Sequence, residues 1–127
     1  MKYLIAIVCV VFMWSAPSYA QHAHGGEKGP NGGPMEDVAG IDAELITAGN
    51  KITINVFDPK SAKPVATKNY SAAVMISSGS TRETVTLAPQ GENSLQGDAK
   101  SSVTAGATIT LTIKTAEGQS GQAKFKK

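Results

Sequence analysis

Cysteine is almost absent from this chain: Cys9 is the only one in 127 residues, and it lies inside an apolar run near the N-terminus. A single thiol there excludes a disulfide framework, and it leaves the rest of the chain without a thiolate for nucleophilic or soft-metal chemistry. Histidine is nearly as scarce, with only His22 and His24. General acid/base work near neutral pH needs a titratable group held in place. Both imidazoles fall in a stretch without apolar patterning, so the many Ser and Thr residues have no ordered base to activate them. The sequence therefore predicts no enzyme. Trp14 is the sole tryptophan, so a copper site roofed by an indole is excluded from everything downstream of it.

An excess of one charge is missing too. Lys and Arg number 12 against 10 Asp and Glu, a formal +2. A phosphate-reading surface needs clustered cations, yet here they are scattered and only Lys124, Lys126 and Lys127 bunch, at the C-terminus. This pattern predicts no nucleic-acid partner. Long hydrophobic runs are also lacking. The apolar run over residues 4–14 falls well short of the roughly 20 residues that a spanning helix needs.

What that run does fit is an export signal. Lys2 precedes it and Ser18-Tyr19-Ala20 follows, the charged, apolar and small-residue parts of a secretory signal. Residues 1–20 are expected to be removed, leaving Gln21 first and the formal charge at +1, since Lys2 is the only charged residue lost. Cys9 follows Val8 in mid-run, so a soluble periplasmic protein is expected instead of a lipid-anchored one. It should be a monomer with no membrane span.

Residues 21–37 hold Gly25, Gly26, Gly29, Gly32 and Gly33 with Pro30 and Pro34, a composition that offers little burial to offset ordering entropy. They read as a flexible His/Gly/Pro-rich tail, with Val38 the first residue able to join a core. Residues 38–127 read as one β domain. Ile41, Ala43, Leu45 and Thr47 alternate with Asp42, Glu44 and Ile46, and after Ala48-Gly49-Asn50 Ile52, Ile54 and Val56 alternate with Lys51, Thr53 and Asn55, which predicts a β-hairpin. Pro59 and Pro64 punctuate a loop, and Val65 to Thr67 suggest a short edge strand. Residues 72–76 and 83–87 predict a second hairpin about Ser78-Gly79-Ser80, residues 94–97 a brief extended piece, and residues 108–114 and 122–125 the last two strands. The pattern predicts an all-β fold: a small antiparallel immunoglobulin-like sandwich or barrel of six to seven strands. Ile52, Ile54, Val74, Ile76, Val85, Leu111 and Ile113 fall on the apolar phase and should line its core.

His22 and His24 become positions two and four once the signal is removed. Imidazole is the commonest metal-binding side chain, and this pair suits Cu(II), Zn(II) or Ni(II). Met35, Glu36 and Glu44 are candidate helpers, a thioether and carboxylates near enough in sequence for the tail to fold onto them. The plainer reading makes the His tract a solvated leader and gives the carboxylates the task of keeping an edge strand soluble.

Lys28-Gly-Pro-Asn-Gly-Gly-Pro-Met, then Gly40-Ile-Asp-Ala-Glu-Leu, Asp58 through Pro64-Val65, and Glu83-Thr-Val-Thr-Leu-Ala-Pro together resemble small uncharacterised periplasmic proteins of Gram-negative bacteria. In that group a His/Gly-rich leader precedes a β domain, and the lead-in is similar to one found in adaptor subunits of heavy-metal efflux pumps. The resemblance implies periplasmic handling of copper or a related cation beside an efflux system. Where the group carries a histidine just before Glu-Leu, this chain has Ile41-Asp42-Ala43. Two readings follow: a metal-binding accessory protein using His22 and His24, or a non-metal interaction module whose edge strands or tail dock a partner.

Overall fold

The computed structural model describes residues 27–127; the expected signal, Cys9, His22 and His24 lie outside them. Eight strands form: β1 (Met35–Val38), β2 (Ile41–Ala48), β3 (Lys51–Phe57), β4 (Ser71–Ser78), β5 (Thr81–Gln90), β6 (Ser94–Asp98), β7 (Thr108–Lys114) and β8 (Ser120–Lys126). All pairs are antiparallel, in the order β1-β2-β3-β6-β5-β4-β7-β8. The all-β, antiparallel expectation holds, with eight strands in place of six to seven.

Strand β5 makes the barrel. Residues 81–87 pair with β4, while Ala88, Pro89 and Gln90 pair with β6, so one strand leaves the first sheet and enters the second. A strand that changes sheets turns a corner and lets two layers close on each other. At the far side β1 and β8 come alongside. Gly121 permits that approach, since a Cβ there would stand 3.0 Å from Val38 Cγ2 and 3.1 Å from the Ala39 nitrogen. Without β1, the pairs β2-β3-β6-β5 and β4-β7-β8 reproduce the four-plus-three strand order of immunoglobulin-type sandwiches.

Period-two alternation places the core. Ile52, Ile54, Val74, Ile76, Val85, Leu111 and Ile113 are all buried, together with Leu45, Val56, Leu87, Leu95, Ile109 and Phe125. Several of these positions pair across strands with one another, as Ile54 does with Leu45 and Leu95, Val74 with Val85 and Leu111, and Ile109 with Phe125, the arrangement that stabilises a sheet. The long β3–β4 connection crosses one end of the barrel. Val65 to Thr67 is no strand in it: only Pro64 bridges, to Phe57, and Thr67 is buried because its hydroxyl donates to the Ser94 carbonyl at 2.8 Å.

The largest departure from expectation is at the N-terminal side. Met35–Val38 is a strand, not tail, and the turn over residues 27–34 ahead of it is tied to the barrel. The β1–β2 connection is the pair Ala39 and Gly40, both with positive φ (51° and 80°), the twist-matched geometry of a two-residue hairpin.

Candidate functional site

Because successive residues of a strand face opposite sides, Asp42 and Glu44 of β2 lie on the outer side of the sheet, behind Ala43 and Leu45 of the core. Register then lines Met35, Glu44, Asn55 and Ser94 up across four strands. Glu44 has no exposure at all. A buried carboxylate is tolerated when donors surround it, and this one has four. Asn31 gives its backbone N–H to Oε2 at 2.7 Å and its side-chain amide to Oε1 at 2.8 Å, Gly33 gives its N–H to Oε2 at 3.2 Å, and Asn55 its amide to Oε1 at 3.3 Å. Ser94 completes the row by donating to Asn55 Oδ1 at 2.6 Å.

The turn that covers Glu44 is Lys28-Gly-Pro-Asn-Gly-Gly-Pro. Gly29 donates to the Gly33 carbonyl at 2.7 Å, Met35 to Glu27 at 3.0 Å and Leu45 to Pro34 at 2.9 Å. Two of its glycines are forced by close approach. A Cβ on Gly29 would stand 2.5 Å from the Glu44 carboxyl carbon, and one on Gly33 would run into the Leu45 carbonyl oxygen. The ordering entropy that composition assigns to this segment is offset by backbone bonds and by charge-assisted bonds to a carboxylate, roughly twice as strong as neutral ones. Residues 27–37 are therefore a clasp and a strand, not the flexible tail expected for 21–37.

The metal candidates separate accordingly. Met35 is buried opposite Glu44 in the β1–β2 register, whereas Glu36 pairs with Ala43 and is half-buried on the other side of β1. Both Glu44 oxygens already accept two bonds each. Among the described residues no group of three His, Cys, Asp or Glu is placed to hold a metal, and none is a histidine or cysteine. Ser78 and Thr104 have their hydroxyls 3.3 Å apart beside a small cleft, and among the described residues there is no imidazole to activate either.

The titrations of Asp58 and Tyr70 are shifted among the described residues. The backbone N–H groups of Ser61 and Lys60 hold Asp58 below the ordinary carboxylate value, donating to Oδ1 at 2.9 and 2.8 Å in the turn after β3. Burial, with Glu117 nearby, raises the Tyr70 phenol.

Sequence alone marks Glu44 as a candidate ligand and gives no sign of Asn31, Asn55 or Ser94. The available signal was Glu44 itself, an acid inside a strand otherwise flanked by Ala43 and Leu45. Among the described residues no helix is long and apolar enough to cross a membrane. Compared with family models, curated proteins and solved structures, the chain finds no match in any of the three.

Proposed function

We propose that this chain is an exported periplasmic binding accessory that holds a transition-metal cation, Cu(II) foremost, through the imidazoles of His22 and His24, beside a cation efflux system. The observation that carries the reading is the clasp. Glu44 and Asn31 fasten the leader to the outer side of β2, and His24 precedes the first described residue, Glu27, by only two intervening glycines. The barrel thus serves as a rigid mount for the segment that carries both imidazoles.

The same geometry narrows the ligand set. Glu44 is committed to its four donors, and Met35 is buried at the clasp. The ligands are then His22 and His24, with half-exposed Glu36 the remaining carboxylate helper. Imidazole nitrogens with few thioethers and no thiol suit Cu(II) over Cu(I).

Calorimetric titration of the protein with Cu(II) tests this. About one ion per chain should bind, as expected where two imidazoles form a single site. Replacing His22 and His24 with Ala should abolish binding and leave the melting temperature of the metal-free barrel unchanged. Copper affinity unaltered by that double substitution would sink the reading and favour the interaction module.

A further inference from the structure

The outer face of the second sheet, over β5-β4-β7-β8, carries a charge pattern that the linear sequence hides. Register stacks Thr84, Met75, Thr110 and Lys124 in one row and Arg82, Ser77, Thr108 and Lys126 in the next. Thr86, Ala73, Thr112 and Gln122 follow, then Ser71, Lys114 and Ser120. This face holds four cations, Arg82, Lys114, Lys124 and Lys126, all exposed, and no Asp or Glu. On the opposite sheet the outward phase exposes Asp37 and Asp98 against Lys51, while Asp42 and Glu44 are buried. The exposed cations of the strands other than Lys51 are therefore gathered on one sheet, although the overall charge is close to balance.

The basic face is built for contact. Arg82 and Lys124 line one shallow hollow with Ser77, Thr108, Thr110 and Met75, so two cations and three hydroxyls converge where an anionic oxygen could accept from them. Met75 is the only large apolar side chain exposed among the described residues, at 37%. A thioether among hydroxyls and cations gives this face one apolar contact point beside its charges.

We infer that this face docks onto an anionic phospholipid surface, with Arg82, Lys114, Lys124 and Lys126 against headgroup phosphates and Met75 reaching beneath them. Two observations and one general principle favour that occupant. The hollow is open, so one small phosphate would stay largely hydrated there, whereas a surface presenting many phosphates engages all four cations together. The face carries no aromatic residue; Phe57, Tyr70 and Phe125 are buried, so the stacking platforms that hold nucleobases or sugars are missing. Clustered cations beside a lipid surface attract it additively. The inference is independent of copper binding, since none of these four cations is among the proposed copper ligands.

Co-sedimentation with vesicles tests it. The protein should pellet with vesicles of phosphatidylglycerol mixed into phosphatidylcholine at about 50 mM salt, dissociate near about 500 mM as screening grows, and ignore pure phosphatidylcholine. Uptake through residues 4–14, where present, would show equally with neutral vesicles. Replacing Arg82, Lys114, Lys124 and Lys126 with Ser should weaken partitioning roughly hundredfold or more, while replacing Lys51, Lys60, Lys63 and Lys68 with Ser removes the same charge elsewhere and should change it by less than about threefold. Should the first variant melt early, Arg82→Gln with Lys124→Gln should still lose about tenfold. Equal losses in both charge-matched variants would overturn the inference, because net charge would then suffice. Failure to bind phosphatidylglycerol would do so too, and retention on heparin or duplex DNA without vesicle binding would give the face to a soluble polyanion.

Discussion

Asn31 grips Glu44 with two bonds at once, its backbone N–H on one carboxylate oxygen at 2.7 Å and its side-chain amide on the other at 2.8 Å. The residues are thirteen apart in sequence, and their contact turns a glycine- and proline-rich lead-in into part of the barrel. Glu44→Gln keeps the shape but replaces one acceptor oxygen with an NH₂ facing donors. Leaving buried donors unsatisfied costs about 1–3 kcal/mol, so chemical denaturation should show a loss of that size. Asn31→Ala should cost about 1 kcal/mol, and the double variant less than the sum, because both act on one network.

Gly33→Ala should release the clasp more completely, as its methyl would overlap the Leu45 carbonyl. Backbone is hard to displace, so a loss of about 2 kcal/mol or more is expected. Limited proteolysis should then cut near residues 27–34 in the variant well before the barrel is attacked. Gly32→Ala meets no neighbouring atom and carries only the strain of its positive φ, about 1–2 kcal/mol.

The strands, turns and core were legible because alternation is a direct imprint of a half-buried sheet: Thr108 to Lys114 and Lys51 to Val56 declare both their face and their register. The clasp was not legible. Composition assigns Gly25 to Pro34 high ordering entropy, and nothing local reveals that Glu44, thirteen residues past Asn31, supplies the offset. The basic face was hidden for a related reason. Arg82 and Lys124 are 42 positions apart, and only the β5-β4-β7-β8 order makes them neighbours. His22 and His24 declare themselves in sequence as the only imidazoles of the chain.

Ile54 and Leu111 have no exposure, each pairing with apolar partners on both sides. Truncating either to Ala should cost about 2–5 kcal/mol, the range for buried aliphatic side chains. Urea titrations with unchanged slope would assign the loss to the folded state.

Asp58 provides a pH handle remote from the imidazoles. The Ser61 and Lys60 N–H groups hold its folded value below the ordinary one, so its contribution is fully present above the unfolded value and fades as pH falls through the folded value. An NMR titration should place the Asp58 midpoint below that of a free aspartate. Asp58→Ala should remove that acid-range dependence and loosen the turn over residues 58–63, with little effect on the core.

Copper affinity should follow the protonation of His22 and His24. Protons compete for the same nitrogens, so Cu(II) binding should weaken as pH drops through the imidazole range, about 6.5. The sign is fixed: affinity is highest when both rings are neutral and is lost on acidification. Cu(I) should bind poorly, since the chain beyond residue 20 has only Met35 and Met75 as thioethers and no thiolate, and soft ligands select that ion. Glu44→Gln separates mount from ligand. It should lower the barrel's stability while leaving intrinsic Cu(II) affinity within about twofold, because a carboxylate saturated by four donors is not a first choice for a cation that imidazoles already hold. A large drop in affinity in that variant, measured at a temperature where it stays folded, would return Glu44 to the ligand set.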